Sequence, residues 1–208
     1  MRLLDASEIL SCAGLTALLA VGIDSSCVKA QTPVRLSRPS ASVHSAKEAS
    51  RPLAPHFTLT DTAGVKRSLS DYRGRPVAVF FYCGCEWCHK TATMWGQFQR
   101  GNALPSDAAG RLLPTVIVFS GDASSAVQFR DETGLDPNTS VLLPDPQMDV
   151  TLGMYDAEPC PRVFVIDPSG HIAYTNNHTD DAPRKAPAIA IVSQALDALR
   201  TCLKAEPK

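Results

Sequence analysis

One stretch constrains this chain more than any other. An apolar, β-favouring run, Val77-Ala78-Val79-Phe80-Phe81-Tyr82, passes through Cys83-Gly84 into Cys85-Glu86-Trp87-Cys88. Its uniform apolarity predicts a strand buried on both faces, spanning 76–82. The residues that follow predict a helix over 86–100, stopped at Gly101-Asn102. Cys85 and Cys88 therefore fall at a strand-to-helix turn. Residues three apart share one helical face, so two thiols there can close a small disulfide with little backbone movement. The first of them stands at the helix N-terminus, where unpaired N–H groups and the positive end of the dipole favour thiolate, the nucleophile of disulfide exchange.

The remainder of the domain alternates strand and helix. Strands are predicted near 57–60 and 65–68 around the turn Asp61-Thr62-Ala63-Gly64, with a short helical turn at 68–72. Further strands are predicted at 114–120, 140–143, 162–166 and 171–175, and helices at 123–133, 149–155 and 186–203. This order argues an α/β fold with a mixed central sheet and helices on both faces.

The N-terminal part reads differently. Residues 9–23 are almost continuously apolar, a length that suits the core of an export signal better than a membrane span of about 20 residues. Val28-Lys29-Ala30 offers a cleavage site, so 1–30 is expected to be a signal peptide or an uncut anchor; Cys27 is a candidate lipid-modified cysteine, although Asp24-Ser25-Ser26 before it makes a poor lipobox. Residues 31–53 are rich in Pro, Ser and Ala, carry no apolar period, and read as a flexible linker. As a coil that linker spans about 25 Å. The folded domain is expected over 54–208. Twenty Lys+Arg against 21 Asp+Glu carry no signal for nucleic acid.

Four pieces in fixed order carry a family resemblance: Ala54-Pro55-His56-Phe57-Thr58-Leu59, then Ser68-Leu69-Ser70-Asp71-Tyr72-Arg73-Gly74-Arg75-Pro76, then Cys85-Glu86-Trp87-Cys88, then Pro161-Arg162-Val163-Phe164-Val165-Ile166-Asp167-Pro168-Ser169-Gly170-His171-Ile172. Together they resemble the thioredoxin-like superfamily, in the branch shared by TlpA/ResA-type thiol–disulfide oxidoreductases and AhpC/TSA-type peroxiredoxins. The resemblance implies a thioredoxin-like fold, Cys85 as attacking thiolate and Cys88 as resolving thiol. It also puts Pro161 in the place of the cis-proline that faces the redox pair, with Cys160 and Trp87 beside it to receive substrate. The chain departs from the pattern at several points. Val79 and Thr91 stand where related proteins carry a buried proton acceptor, which leaves Glu158 as a guess. Gly84 replaces the tryptophan that precedes the first cysteine, and Cys83 and Cys160 are additions.

Each candidate also has a plain structural reading. Cys160 reads first as a small buried hydrophobe and Cys83 as the last residue of the strand, and each reads second as an auxiliary thiol beside the pair. His89 completes the Cys-x-x-Cys-His spacing of a c-type haem site. A packed strand–helix junction leaves no haem pocket, so His89 is read as a first-turn side chain helping to hold thiolate. Cys202 reads as passive, and His171 and His178 as surface residues. The expected activity is disulfide exchange with protein substrates and a thiol–disulfide electron donor, without cofactor or metal ion. Two alternatives stand beside it. A peroxiredoxin carries Pro-x-x-x-Thr/Ser-x-x-Cys; with Cys88 as its thiol, Phe81 and Cys85 occupy the Pro and Thr/Ser places, and Arg162 lies near the place of its arginine. A copper-binding assembly factor resembling the SCO group would draw on Cys83, Cys85, Cys88, His89 and Cys160.

Overall fold

The computed structural model describes residues 51–176 and 187–205. The apolar run 9–23, Cys27, the cleavage candidate at 28–30, His178 and the linker up to residue 50 lie outside the described residues.

A small antiparallel hairpin comes first, β1 (Thr58–Thr60) against β2 (Lys66–Ser68). The Asp61 carboxylate closes its turn by accepting from the N–H groups of Ala63 and Val65 at 2.9 and 2.8 Å. Ser68 then caps a single 3-10 turn, Leu69–Tyr72, and its own N–H donates to Asp71 Oδ2 at 2.8 Å. The main sheet has the order β5-β4-β3-β6-β7. Its strands are β3 (Val77–Tyr82), β4 (Thr115–Phe119), β5 (Ser140–Pro144), β6 (Arg162–Ile166) and β7 (Ile172–Thr175). β3 runs parallel to β4 and antiparallel to β6, and all six of its residues are buried. Enclosure between two strands and two covered faces is why this segment is apolar at every position rather than at every second one.

The parity of β3 sorts the core. Ala78, Phe80 and Tyr82 pack with α1 (Glu86–Arg100), α2 (Ala123–Thr133) and α3 (Ala188–Lys204). Val77, Val79 and Phe81 face the opposite layer, which holds Phe57, Leu69, Val150 and Tyr155. The segment 149–155, expected as a helix, is a run of turns. Asp145 accounts for this: its buried carboxylate accepts from both the N–H and the hydroxyl of Thr151 at 2.8 and 2.7 Å, and so ties the segment to the end of β5. The helical cover of that face is the 3-10 turn. The chain also joins the sheet two residues earlier than Ala54: Ile172 N–H donates to Pro52 O at 2.9 Å, and Leu53 bridges His171.

One close approach sets how α1 lies against α2. A Cβ at Gly96 would stand 2.6 Å from the carbonyl oxygen of Gly134, the left-handed residue that ends α2. Arg100 donates to that same carbonyl. The obstacle is backbone, so it cannot rotate away. Gly96→Ala is therefore expected to destabilise the domain by about 1–3 kcal/mol through forced separation of the two helices. Urea denaturation checks this, and an unchanged midpoint would remove the packing argument.

Candidate active site

The turn between β3 and α1 depends on Gly84, whose φ of +79° lies in the left-handed region. This explains glycine where the related pattern has tryptophan: the chain must reverse between Cys83 and Cys85 within one residue. Cys85 is the N-cap of α1 in extended conformation, and its side chain makes no capping hydrogen bond. That leaves its sulfur, half-buried, to lie 3.5 Å from Cys88 Sγ. Cys88 sits one turn inside the helix with no exposed surface. The N–H of Cys83 donates to Cys88 Sγ at 3.4 Å.

Burial pushes the Cys88 thiol up to about 12, and the neighbouring Cys85 adds to the rise against the opposing hydrogen bond from Cys83 N–H. The Tyr82 hydroxyl is likewise pushed up by complete burial, with Cys88 adding to the effect, and it makes no hydrogen bond among the described residues.

The two added cysteines are bonded to each other. Cys83, one residue past β3, and Cys160, two residues before the first residue of β6, form a disulfide with Cα atoms 6.5 Å apart. This corrects the reading of Cys160 as a small hydrophobe, of Cys83 as the last residue of the strand, and of either as a lone auxiliary thiol. Antiparallel pairing of β3 with β6 brings the ends of the two strands together across a sequence separation of 77. Cys83 Sγ also lies 3.8 Å from Cys88 Sγ, and all four sulfurs fall within 4.8 Å of one another. Four thiolates at that spacing suit a soft metal ion, for which sulfurs about 2.3 Å from zinc would stand about 3.8 Å apart. With Cys83 and Cys160 bonded, two of the four are unable to ligate as thiolates.

The other expected residues divide. The Cys160-Pro161 peptide is cis, and Glu158-Pro159 is a second cis bond that sequence reasoning missed. Trp87 is 37% exposed, with Lys90 Nζ 4.8 Å from its ring centroid. His89 Nδ1 donates to Cys85 O (3.2 Å) and Nε2 donates to Glu132 Oε2 (3.0 Å), so both ring nitrogens are engaged away from the sulfurs. Partial burial alone would lower the His89 pKa; the Glu132 carboxylate and the Cys85 carbonyl outweigh it and raise it. Arg162 turns from the cysteines: Nη1 donates to Asn176 O at 2.7 Å and Nη2 to Glu158 O at 3.4 Å. The Thr91 hydroxyl is committed to Trp87 O at 2.9 Å, and Glu158 is exposed. A cavity of about 530 Å³ between α3 and the β6–β7 turn is lined by Cys202 and by none of the four clustered sulfurs.

The sequence profile of the AhpC/TSA family matches residues 52–175, more than half of the 208, and takes in all four sulfurs. The chain belongs to the AhpC/TSA family. This makes it a redoxin with a thioredoxin-like fold, an oxidoreductase built around cysteine. It is similar to the chloroplastic peroxiredoxin Q of Oryza sativa subsp. japonica, at 32% identity over 160 residues that cover 71% of this chain and 69% of that protein. It is also similar to the thiol-disulfide oxidoreductase ResA of Geobacillus kaustophilus, at 31% identity over 121 residues, 57% of this chain and 64% of that protein. The solved structure of peroxidoxin BcpB from Mycobacterium tuberculosis shares the fold, with a TM-score of 0.55 at 21% identity over 73% of this chain and 96% of that one.

The two thiols of the redoxin pair should differ in reactivity. With its pKa at about 12, about one Cys88 in ten thousand is thiolate at pH 8. Iodoacetamide at pH 8 is expected to label Cys85 at least about a hundredfold faster than Cys88, which it reaches only as the pH climbs toward 12. Peptide mapping of the alkylated protein measures this, and equal labelling at pH 8 would mean that the Cys88 sulfur is not held as a buried thiol.

Proposed function

We propose that this redoxin is an exported thiol–disulfide oxidoreductase that reduces protein disulfides through Cys85 and Cys88 and is recharged by a thiol–disulfide electron donor. The observation that carries this reading is the inequality of the pair. Cys85 is accessible at a helix N-terminus, and a fully buried second thiol stands 3.5 Å behind it. Cys85 attacks the substrate disulfide, one substrate sulfur leaves, and a mixed disulfide forms. Formation of that bond removes the Cys85 charge, which is one of the influences that hold the Cys88 proton. Cys88 then loses its proton, attacks Cys85 Sγ and releases the second substrate thiol. The exposed Trp87 ring, between the two cysteines in sequence, offers an extended polypeptide an apolar surface, and the buried Cys160 sulfur lies on the inner side of the pair. The apolar run 9–23 supports export, to a compartment where substrates with disulfides exist.

Family membership favours a second reading, peroxide reduction. That chemistry needs donors aimed at the peroxide beside a lone thiolate, with the thiol passing to sulfenic acid. Here Arg162 Nη1 and Nη2 and the Thr91 hydroxyl are given to backbone carbonyls, while Arg162 Nε, buried and without a partner among the described residues, belongs to the β6 face opposite the layer that holds Cys88. Disulfide exchange asks for none of these donors, which supports the first reading.

The test compares second-order rate constants of the reduced protein with a mixed-disulfide peptide and with hydrogen peroxide. The peptide is expected to react at least about a hundredfold faster, about 3 kcal/mol in barrier. Cys85→Ser should abolish the reaction, and Cys88→Ser should accumulate the mixed disulfide on Cys85. Faster reaction with peroxide would transfer the assignment to the peroxidase.

A further inference from the structure

Two cysteine pairs occupy one cluster, and the proposed function uses only one of them. Cys85 and Cys88 are thiols, whereas Cys83 and Cys160 are bonded. The pairs are in contact through Cys88, whose sulfur lies 3.5 Å from Cys85 Sγ and 3.8 Å from Cys83 Sγ. A disulfide exchange needs a thiolate sulfur beside a disulfide sulfur and a leaving sulfur that stays close, and the four sulfurs meet both needs within 4.8 Å. The N–H of Cys83, donating to Cys88 Sγ, holds the two sulfurs of the junction in register.

We propose that Cys83 and Cys160 form a second dithiol that reduces the Cys85–Cys88 disulfide from within, so that the chain stores four electrons and the bonding seen in the structure is its half-oxidised state. This rests on Cys85 and Cys88 acting on disulfides as proposed above. After one substrate disulfide has been reduced, Cys85 and Cys88 are bonded and Cys83 and Cys160 are thiols. The Cys83 thiolate attacks Cys88 Sγ; a Cys83–Cys88 bond forms, the Cys85–Cys88 bond breaks, and Cys85 leaves as thiolate. The Cys160 thiolate then attacks Cys83 Sγ; the Cys83–Cys160 bond forms, the Cys83–Cys88 bond breaks, and Cys88 leaves as thiolate. Two electrons pass from the Cys83/Cys160 pair to the Cys85/Cys88 pair. The two protons lost by Cys83 and Cys160 are balanced by two taken up at Cys85 and Cys88. No outside oxidant or reductant takes part. Cys85 is again a free nucleophile, ready for a second substrate disulfide before any donor arrives.

The stoichiometry of a single charge tests this. The full chain is completely reduced, freed of reductant under anaerobic conditions, and given excess of a glutathione mixed-disulfide peptide. The wild-type chain is expected to reduce two peptide disulfides, Cys83→Ser one and Cys85→Ser none. Mass mapping of the wild-type chain after a single equivalent should find Cys83–Cys160 bonded with Cys85 and Cys88 free, a measurement that needs no variant to fold. A wild-type chain that stops at one equivalent, with Cys85–Cys88 bonded, overturns the relay and leaves the proposed function standing. A Cys85→Ser chain that still reduces one overturns it too, because the second pair would then act by its own route. A wild-type chain that reduces none overturns the proposed function and the relay together.

Discussion

The burial of one sulfur under the end of the central strand is the constraint on which the site depends. Cys88 has no exposed surface, packs in the core formed by β3 and the three helices, and accepts a hydrogen bond from the first N–H after β3. To put a residue of the first helical turn in that position, the chain must leave β3 and reverse at once. Gly84, at positive φ, permits the reversal, and Cys85 becomes the N-cap without using its side chain to cap. The asymmetry of the pair follows. One thiol is left at the opening, and the other is desolvated enough to hold its proton to about pH 12.

The same strand end decides the second pair. β3 is flanked by β4 on one side and β6 on the other, and its antiparallel partner β6 starts where β3 stops. Cys160, just before β6, is therefore delivered to Cys83, just after β3. A covalent tie across a separation of 77 residues restricts the unfolded chain and is worth about 2–4 kcal/mol in such cases. Its place 3.8 Å from Cys88 Sγ is what the proposed relay would use.

Tertiary contacts also reassign side chains whose types fit other chemistry. His89 has the spacing for a haem ligand, yet its ring bridges the Cys85 carbonyl and Glu132 and packs edge-on to Phe129 at 4.9 Å. Arg162 has the charge a peroxide site needs, but it alternates with Val163 on β6 and faces away from the layer that holds Cys88. A residue's identity allows several roles, and the face of the sheet it occupies removes most of them.

The sequence by itself determined what depends on short-range periodicity. Helix α1 over Glu86–Arg100 and α2 over Ala123–Thr133 were legible to the residue, because capping groups, glycine stops and a 3.6-residue apolar period lie within the segments themselves. The central place of β3 was legible from its unbroken apolarity, and the Cys85/Cys88 pair from its spacing. The segment 149–155 was not, because the Asp145 carboxylate that holds its turns comes from outside it. The Cys83–Cys160 bond was not, because seven cysteines permit many pairings and only the meeting of β3 with β6 selects one. Local chemistry acts over a few residues and is written in their order. Which sulfurs touch depends on strand neighbours far apart in the chain, and that was decided only when the sheet closed around β3.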